Sequence, residues 1–406
     1  MSRPATGLSA RAIGYFAARD FIPLYAVYAL LFRDHGLSPA AISSLFIVWS
    51  LSSFVVEVPS GAWADTVPRR GLLLLSSLLY ALAFSLWMVV PSYAGFAAGF
   101  VLWGVSEALM SGTFEALVYD ELAARDATQS YARLMGWANS AAMVANLIAT
   151  ALAAPLVWLG GYALVGWVSV GVALTQAALA WSLPAAPRVA AVGEDGEPTS
   201  PADGLVGRYL SMLRAGLGEA AHSRTVRHAV LISALLWGFL VYDEYFPLVA
   251  RENGTPTTQV PLVIALVVAG QAIGTALAGR AARLSNAALA WALAAAAVLL
   301  AGGAISGRPA GFVAIAVGYG VANNVIIVSE ARLQDSIRGP ARATVTSASG
   351  LLSEVCAVML LAGFAIGSTW LAVSSMVALL SIPLLLVTCL VPRWLPAPRR
   401  ERDAVS

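Results

Sequence analysis

The chain has 406 residues, of which 59% are hydrophobic and 11% charged, with a formal net charge of +2. Soluble domains carry about 25% charge, so a water-soluble globule is excluded, nothing points to nucleic acid, and an integral membrane protein is implied. All 24 basic residues are arginine, and the two cysteines, Cys356 and Cys389, sit in apolar runs, which implies no disulfide framework.

In chain order, apolar runs fall at roughly 10–32, 40–63, 71–90, 94–119, 132–155, 162–183, 226–250, 259–279, 285–305, 310–332, 343–366 and 369–391. Each has about 20 residues or slightly more, the length a helix needs to cross the hydrocarbon layer. The first run is too long for a signal-peptide core and reads as a retained first helix. The expected fold is all-α, with twelve transmembrane helices. Connections after even-numbered spans hold Arg69, Arg70, Arg125, Arg133, Arg280, Arg283, Arg338 and Arg342, whereas those after odd-numbered spans hold Arg33, Arg251 and Arg308. Arginines stay on the cytoplasmic side, so both termini are expected there, in a multi-pass protein of the cell membrane.

The first span carries Arg19 and Asp20 near its middle, and Glu57 lies near the end of the second. A charged island follows, Gly61-Ala-Trp-Ala-Asp65-Thr-Val-Pro-Arg69-Arg70, between apolar runs. Glu57, one turn away, reads as a structural partner of the island. The fourth span carries Glu107 and Glu115, eight residues and hence about 80° apart on a continuous helix. The longest polar stretch divides the spans six and six. Its first part is rich in Gly, Pro and acid and reads as a linker; its second places Leu205, Tyr209, Leu213 and Leu217 four apart, the apolar face of a helix lying on the membrane surface. The domain boundaries expected are 1–184 for a first six-helix bundle, 185–225 for a central cytoplasmic loop and 226–406 for a second bundle with a tail. In that second half, Asp243 and Glu244 lie in the seventh span, Glu330 and Arg332 in the tenth, and Glu354 in the eleventh.

The halves repeat. Glu115-Ala-Leu-Val-Tyr-Asp120-Glu-Leu122 matches Glu330-Ala-Arg-Leu-Gln-Asp335-Ser-Ile337, and Asp20-Phe-Ile-Pro23-Leu24 matches Glu244-Tyr-Phe-Pro247-Leu248. Duplicated bundles around a midplane cavity are the architecture of many secondary transporters. Asp20 lies about midway along its span and Glu244 nearer the outer end. The connection after the eighth span, Gly279-Arg280-Ala-Ala-Arg283, keeps arginines without an equivalent of Asp65.

With this topology, the pattern Gly61-x-x-x-Asp65-x-x-x-Arg69-Arg70 resembles the loop between helices 2 and 3 of the major facilitator superfamily. Glu57 to Asp65 and Ser111 to Asp120 resemble a drug-efflux-like bacterial permease branch. The resemblance implies two pseudo-symmetric six-helix bundles. It also implies a cytoplasmic gate in which Asp65 meets a helix end and Arg69 pairs with Asp120. Two departures stand out: Pro68 replaces the family's usual Gly before the basic pair, and the fifth span lacks the Gly-Pro motif of many proton-driven exporters.

A charge at mid-membrane costs roughly 2.5–3.5 kcal/mol, so each needs a reason. Asp20, Glu115 and Glu330, then Glu107, Glu354, Glu244 and Arg19, are the candidates for proton or substrate handling. The structural alternative is interhelical pairing, for example Arg19 with Glu115 or Arg332 with Glu354. No histidine lies deep in a span, so any proton relay must use carboxylates. No phosphate loop, metal-ligand cluster or nucleophile elbow is present, so no enzyme activity, cofactor or metal is expected. The leading expectation is a monomeric, proton-coupled secondary transporter in the lipid bilayer that exports small amphipathic or cationic compounds by alternating access. Import of a nutrient such as a vitamin, sugar or organic acid is the alternative.

Overall fold

The structure is a computed structural model that describes residues 3–184, 223–337 and 342–397; side chains at 3–6, 58, 61, 62, 64–66 and 342–344 lie outside the description. The central linker and the amphipathic helix expected after it, apart from the last few residues, lie outside the described residues, as does the end of the tail.

Eleven helical stretches among the described residues are long and apolar enough to cross a membrane. One of them, Tyr131–Ser182, has 52 residues, more than twice what a crossing needs. It breaks at Gly160 and Gly161, where Gly161 has φ 60° and ψ −157°, a region open essentially to glycine alone. The stretch is therefore two spans, α5 (131–159) and α6 (162–182), and the described residues hold twelve. The others are α1 (Gly7–Asp34), α2 (Pro39–Thr66), α3 (Arg69–Val89), α4 (Tyr93–Ala123), α7 (Arg224–Glu252), α8 (Val260–Ala281), α9 (Asn286–Ala304), α10 (Gly311–Ser336), α11 (Arg342–Gly367) and α12 (Val373–Trp394). The charged island is helical for most of its length: α2 continues to Thr66, and only Val67 and Pro68 separate it from α3. Charge marks where a helix leaves the apolar layer, which need not be where it ends.

The chain divides into two compact units, Met1–Leu37 with Leu45–Tyr209, and Ser38–Ser44 with Leu210–Ser406. In unit 1, α1 and α3 both pack against the α5–α6 hairpin, and α3 also packs against α4. Leu8, Ala12, Tyr15, Phe114, Val118 and Ala180 form one buried core. A Cβ on Gly104 of α4 would collide with the α2 backbone at Trp49 and Ser53, so the glycine lets these two helices touch. In unit 2, α8 and α9 pack on α10, α9 also on α12, and α7 on α10, α11 and α12. At one end of that unit the Glu252 carboxylate accepts from the amides of Val373 and Ser374 at 3.0 and 2.8 Å, capping α12. The Asn253 amide donates to the carbonyls of Gly303 and Ala304 at the end of α9.

Three spans are discontinuous. The first helix of α1 ends at Asp20 and restarts through a 3₁₀ turn at Pro23–Ala26. α4 breaks at Ser111 and Gly112, the glycine at φ 70°. α7 passes through a 3₁₀ segment, Phe239–Tyr245, just before Pro247. Proline removes a helical hydrogen bond and clashes with the preceding turn, which accounts for the breaks in α1 and α7. The break in α1 lies at Asp20, three residues before its proline; in α7 the matching acid, Glu244, also three before its proline, lies within the 3₁₀ segment.

Candidate functional site

The breaks matter because interrupted helices at corresponding positions of two repeats mark the solute site in duplicated transporters. In unit 1 the Arg19 guanidinium donates to Glu107 Oε1 at 3.0 Å, and Trp49 Nε1 donates to the other oxygen, Oε2, at 3.0 Å. One carboxylate thus joins α1, α2 and α4. The expected pairing of Arg19 with Glu115 is replaced by pairing with Glu107, one helical segment earlier. Trp49 continues into an aromatic stack: its ring lies 5.1 Å from Trp103, which stacks on Tyr25 at 5.1 Å. The hydroxyls of Tyr25 and Tyr80 meet, and Tyr80 also reaches the Arg19 carbonyl at 3.4 Å.

Beside the ion pair is a cavity of about 310 Å³, lined by Arg19, Glu57, Glu107, Glu115, Ser53 and Ser111 together with Phe16, Ala108 and Met110. On an unbroken helix Glu107 and Glu115 would point about 80° apart; the break at Ser111-Gly112 lets both line one cavity. One oxygen of Glu115, Oε2, is buried without a hydrogen-bond partner among the described residues. Glu57, expected as a partner of the island, lines the same cavity. Asp20 is half-buried and does not line it. Trp49, Ser53 and Glu57 were not singled out as a set, yet they recur every four residues on α2 and so form one stripe.

In unit 2 neutral donors hold Asp243 and Glu330. Tyr319 donates its hydroxyl to Asp243 at 2.6 Å. Glu330 accepts from Ser233 at 2.9 Å and from Gln334 at 2.8 Å. Glu244 and Glu354 are half-buried on α7 and α11. Arg332 turns away from Glu354: it donates to Asn286 Oδ1 at 2.6 Å and to the carbonyls of Ala282, Leu284 and Pro396.

At the α2–α3 turn, Arg69 forms an ion pair with Asp120 and donates to the Ala116 carbonyl at 3.3 Å, tying the turn to α4. The neighbouring Arg70 guanidinium lies 5.2 Å from the Trp181 ring centre on α6, a cation–π distance. Gly61 and Asp65 lie in the helical backbone of α2, with side chains outside the description.

The family model of the Major Facilitator Superfamily matches residues 12–357. The chain belongs to the major facilitator superfamily. This transporter finds no match among curated proteins. Among solved structures it is similar to a bacterial homologue of the human lysosomal transporter Spinster, at 15% identity over 98% of this chain and 100% of that one, with a TM-score of 0.71. It is likewise similar to a D-xylose–proton symporter, at 14% identity over 97% and 98% of the two chains, TM-score 0.70. A mutant nucleoside transporter, NupG, aligns at 10% identity over 95% and 98%, TM-score 0.72. At such identities the likeness concerns the fold alone; the family match makes the chain a small-solute transporter.

Proposed function

We propose that the transporter is a proton-coupled exporter of small amphipathic or cationic compounds that works by alternating access in the cell membrane, both termini cytoplasmic. The charge balance of the unit 1 cavity carries this reading: three carboxylates, Glu57, Glu107 and Glu115, face one guanidinium, Arg19, in about 310 Å³. That volume is at the lower end of the range for small-molecule sites. A surplus of carboxylates out of bulk water draws a cation, and Phe16 is the aromatic residue in the cavity lining. A proton and a solute cation compete for the same oxygens, so occupancy by one excludes the other. This exclusion is the elementary requirement of exchange. Arg19 has a part in it: between solutes it neutralises Glu107, one of the three carboxylates. Asp20 and Glu330 remain the carboxylates proposed to relay the proton. Arg69 with Asp120, assisted by Asp65, Gly61 and Arg70, is proposed as the cytoplasmic gate. An arginine–carboxylate pair is strong enough to hold a closed state and exposed enough to part.

The test uses the full chain in proteoliposomes with an imposed pH gradient and the lipophilic cation tetraphenylphosphonium as probe. Glu107→Gln is expected to lower gradient-driven flux about tenfold or more, a loss of at least ~1.4 kcal/mol of coupling. Flux equal to wild type would sink the cation reading. Import of a nutrient is the second reading, favoured by the unit 2 contacts, where hydroxyls of Tyr319 and Ser233 already engage Asp243 and Glu330 as the hydroxyls of a polyol would. Flux direction in inverted vesicles separates the two.

A further inference from the structure

Unit 2 holds a second, quite different concavity, a groove of about 610 Å³ along α8, with α10 beneath it and Ala292 of α9 at its edge. Small residues create it. A Cβ on Gly270 would strike the Ala316 carbonyl, and one on Gly274 would strike that of Gly320. α8 therefore lies backbone to backbone on α10, leaving a depression that neither helix fills. Its rim is apolar and open, with Ile273 61%, Leu277 42%, Val313 58% and Val317 52% exposed. The groove lacks the convergent free polar groups of a solute site: the amide of Asn324 is already spent on the Gly274 carbonyl at 2.8 Å. One charge lines it, Arg280, in the last turn of α8, and no carboxylate does. Arg283 follows within a turn. From Arg280 back to Leu266 the lining spans fourteen helical steps, roughly 21 Å of helix, enough for an acyl chain that occupies half of a hydrocarbon layer of about 30 Å.

We propose that this groove binds an anionic phospholipid, one acyl chain against α8 and α10 and the phosphate on Arg280. Charge complementarity selects the occupant. A guanidinium offers a planar, forked set of donors that matches a phosphate, and a basic helix end at an anionic leaflet is attracted to it. The close contact of α8 with α10 accounts for the depression along this line.

The full chain, purified in detergent, would be titrated with dioleoyl phosphatidylglycerol and separately with dioleoyl phosphatidylcholine, which carry the same acyl chains. Bound lipids would be counted by native mass spectrometry. The first phosphatidylglycerol is expected to bind about tenfold more tightly than phosphatidylcholine. Arg280→Gln, at an exposed position, should bring phosphatidylglycerol down to the phosphatidylcholine level. Val317→Trp, which fills the groove from its rim, should weaken both lipids. Unchanged headgroup preference in Arg280→Gln overturns the assignment of the phosphate. Unchanged binding of both lipids by a Val317→Trp variant with wild-type melting temperature overturns the assignment of the chain. Should that variant misfold, Arg280→Gln decides alone.

Discussion

Where α2 passes into α3, the arginine opens the second helix, and Arg69 reaches an acid on α4. Where α8 passes into α9, it comes from the helix, and Arg332 of α10 reaches back to the connection. The two places correspond in the repeat, since Glu115 to Asp120 aligns with Glu330 to Asp335. Their wiring runs in opposite senses and with different chemistry. Arg69 and Asp120 form an ion pair whose side chains are 17% and 14% exposed. Arg332 is 4% exposed and is bound by an amide oxygen and three backbone carbonyls that also finish α8 and α12. An ion pair near water can part and re-form, because each charge has a hydrated alternative. A guanidinium buried to 4% exposure has none. Duplication has left one copy suited to switching and the other to fastening.

The largest effect that could break this comparison is expected at the fastened copy. Arg332→Ala leaves the Ala282 and Leu284 carbonyls without their donor and should cost about 3 kcal/mol or more, seen as a fall in melting temperature of the detergent-solubilised protein. Arg332→Lys keeps the charge but lacks the forked geometry and should regain less than half of that. Asn286→Ala comes next. It removes an acceptor of Arg332 and a donor to the Leu395 carbonyl at 2.5 Å, for about 1–2 kcal/mol. Asp120→Asn is smallest in stability, about 1 kcal/mol, and coupled to Arg69→Gln in a double-mutant cycle. Added salt should shrink the Asp120 effect and leave the Arg332 effect nearly unchanged, because screening acts on exposed charges. Equal salt sensitivity at the two sites would contradict the distinction drawn between them.

The twelve spans were legible because an apolar run of about 20 residues has few uses outside a bilayer. The separation of α5 from α6 was legible too, as the gap between the runs 132–155 and 162–183; the structure places the reversal at Gly160-Gly161, where a residue free of Cβ is needed. The end of α2 was not, because charge reports depth in the membrane rather than helix termination. The central amphipathic helix was expected from its four-residue spacing and lies outside the described residues. Site partners were harder. Arg19 was matched with Glu115 by residue type, but the partner depends on helix rotation and on the break at Gly112, and it is Glu107. Arg332 was matched with Glu354, yet its acceptors are mainly backbone carbonyls, which every residue carries and no sequence pattern reveals. Trp49 reads in a sequence as packing or interface anchoring; only its contact with Glu107 sets it apart. Its four-residue stripe with Ser53 and Glu57 was the available clue.

The left-handed Gly112 has one more consequence. Glu107 belongs to the helix before it and Glu115 to the helix after it, each seated in its own packing. The cavity between them therefore straddles a joint in a single span. A bend of a few degrees there would alter the spacing of the two carboxylates, and with it the volume of the cavity, without sliding one packed helix past another.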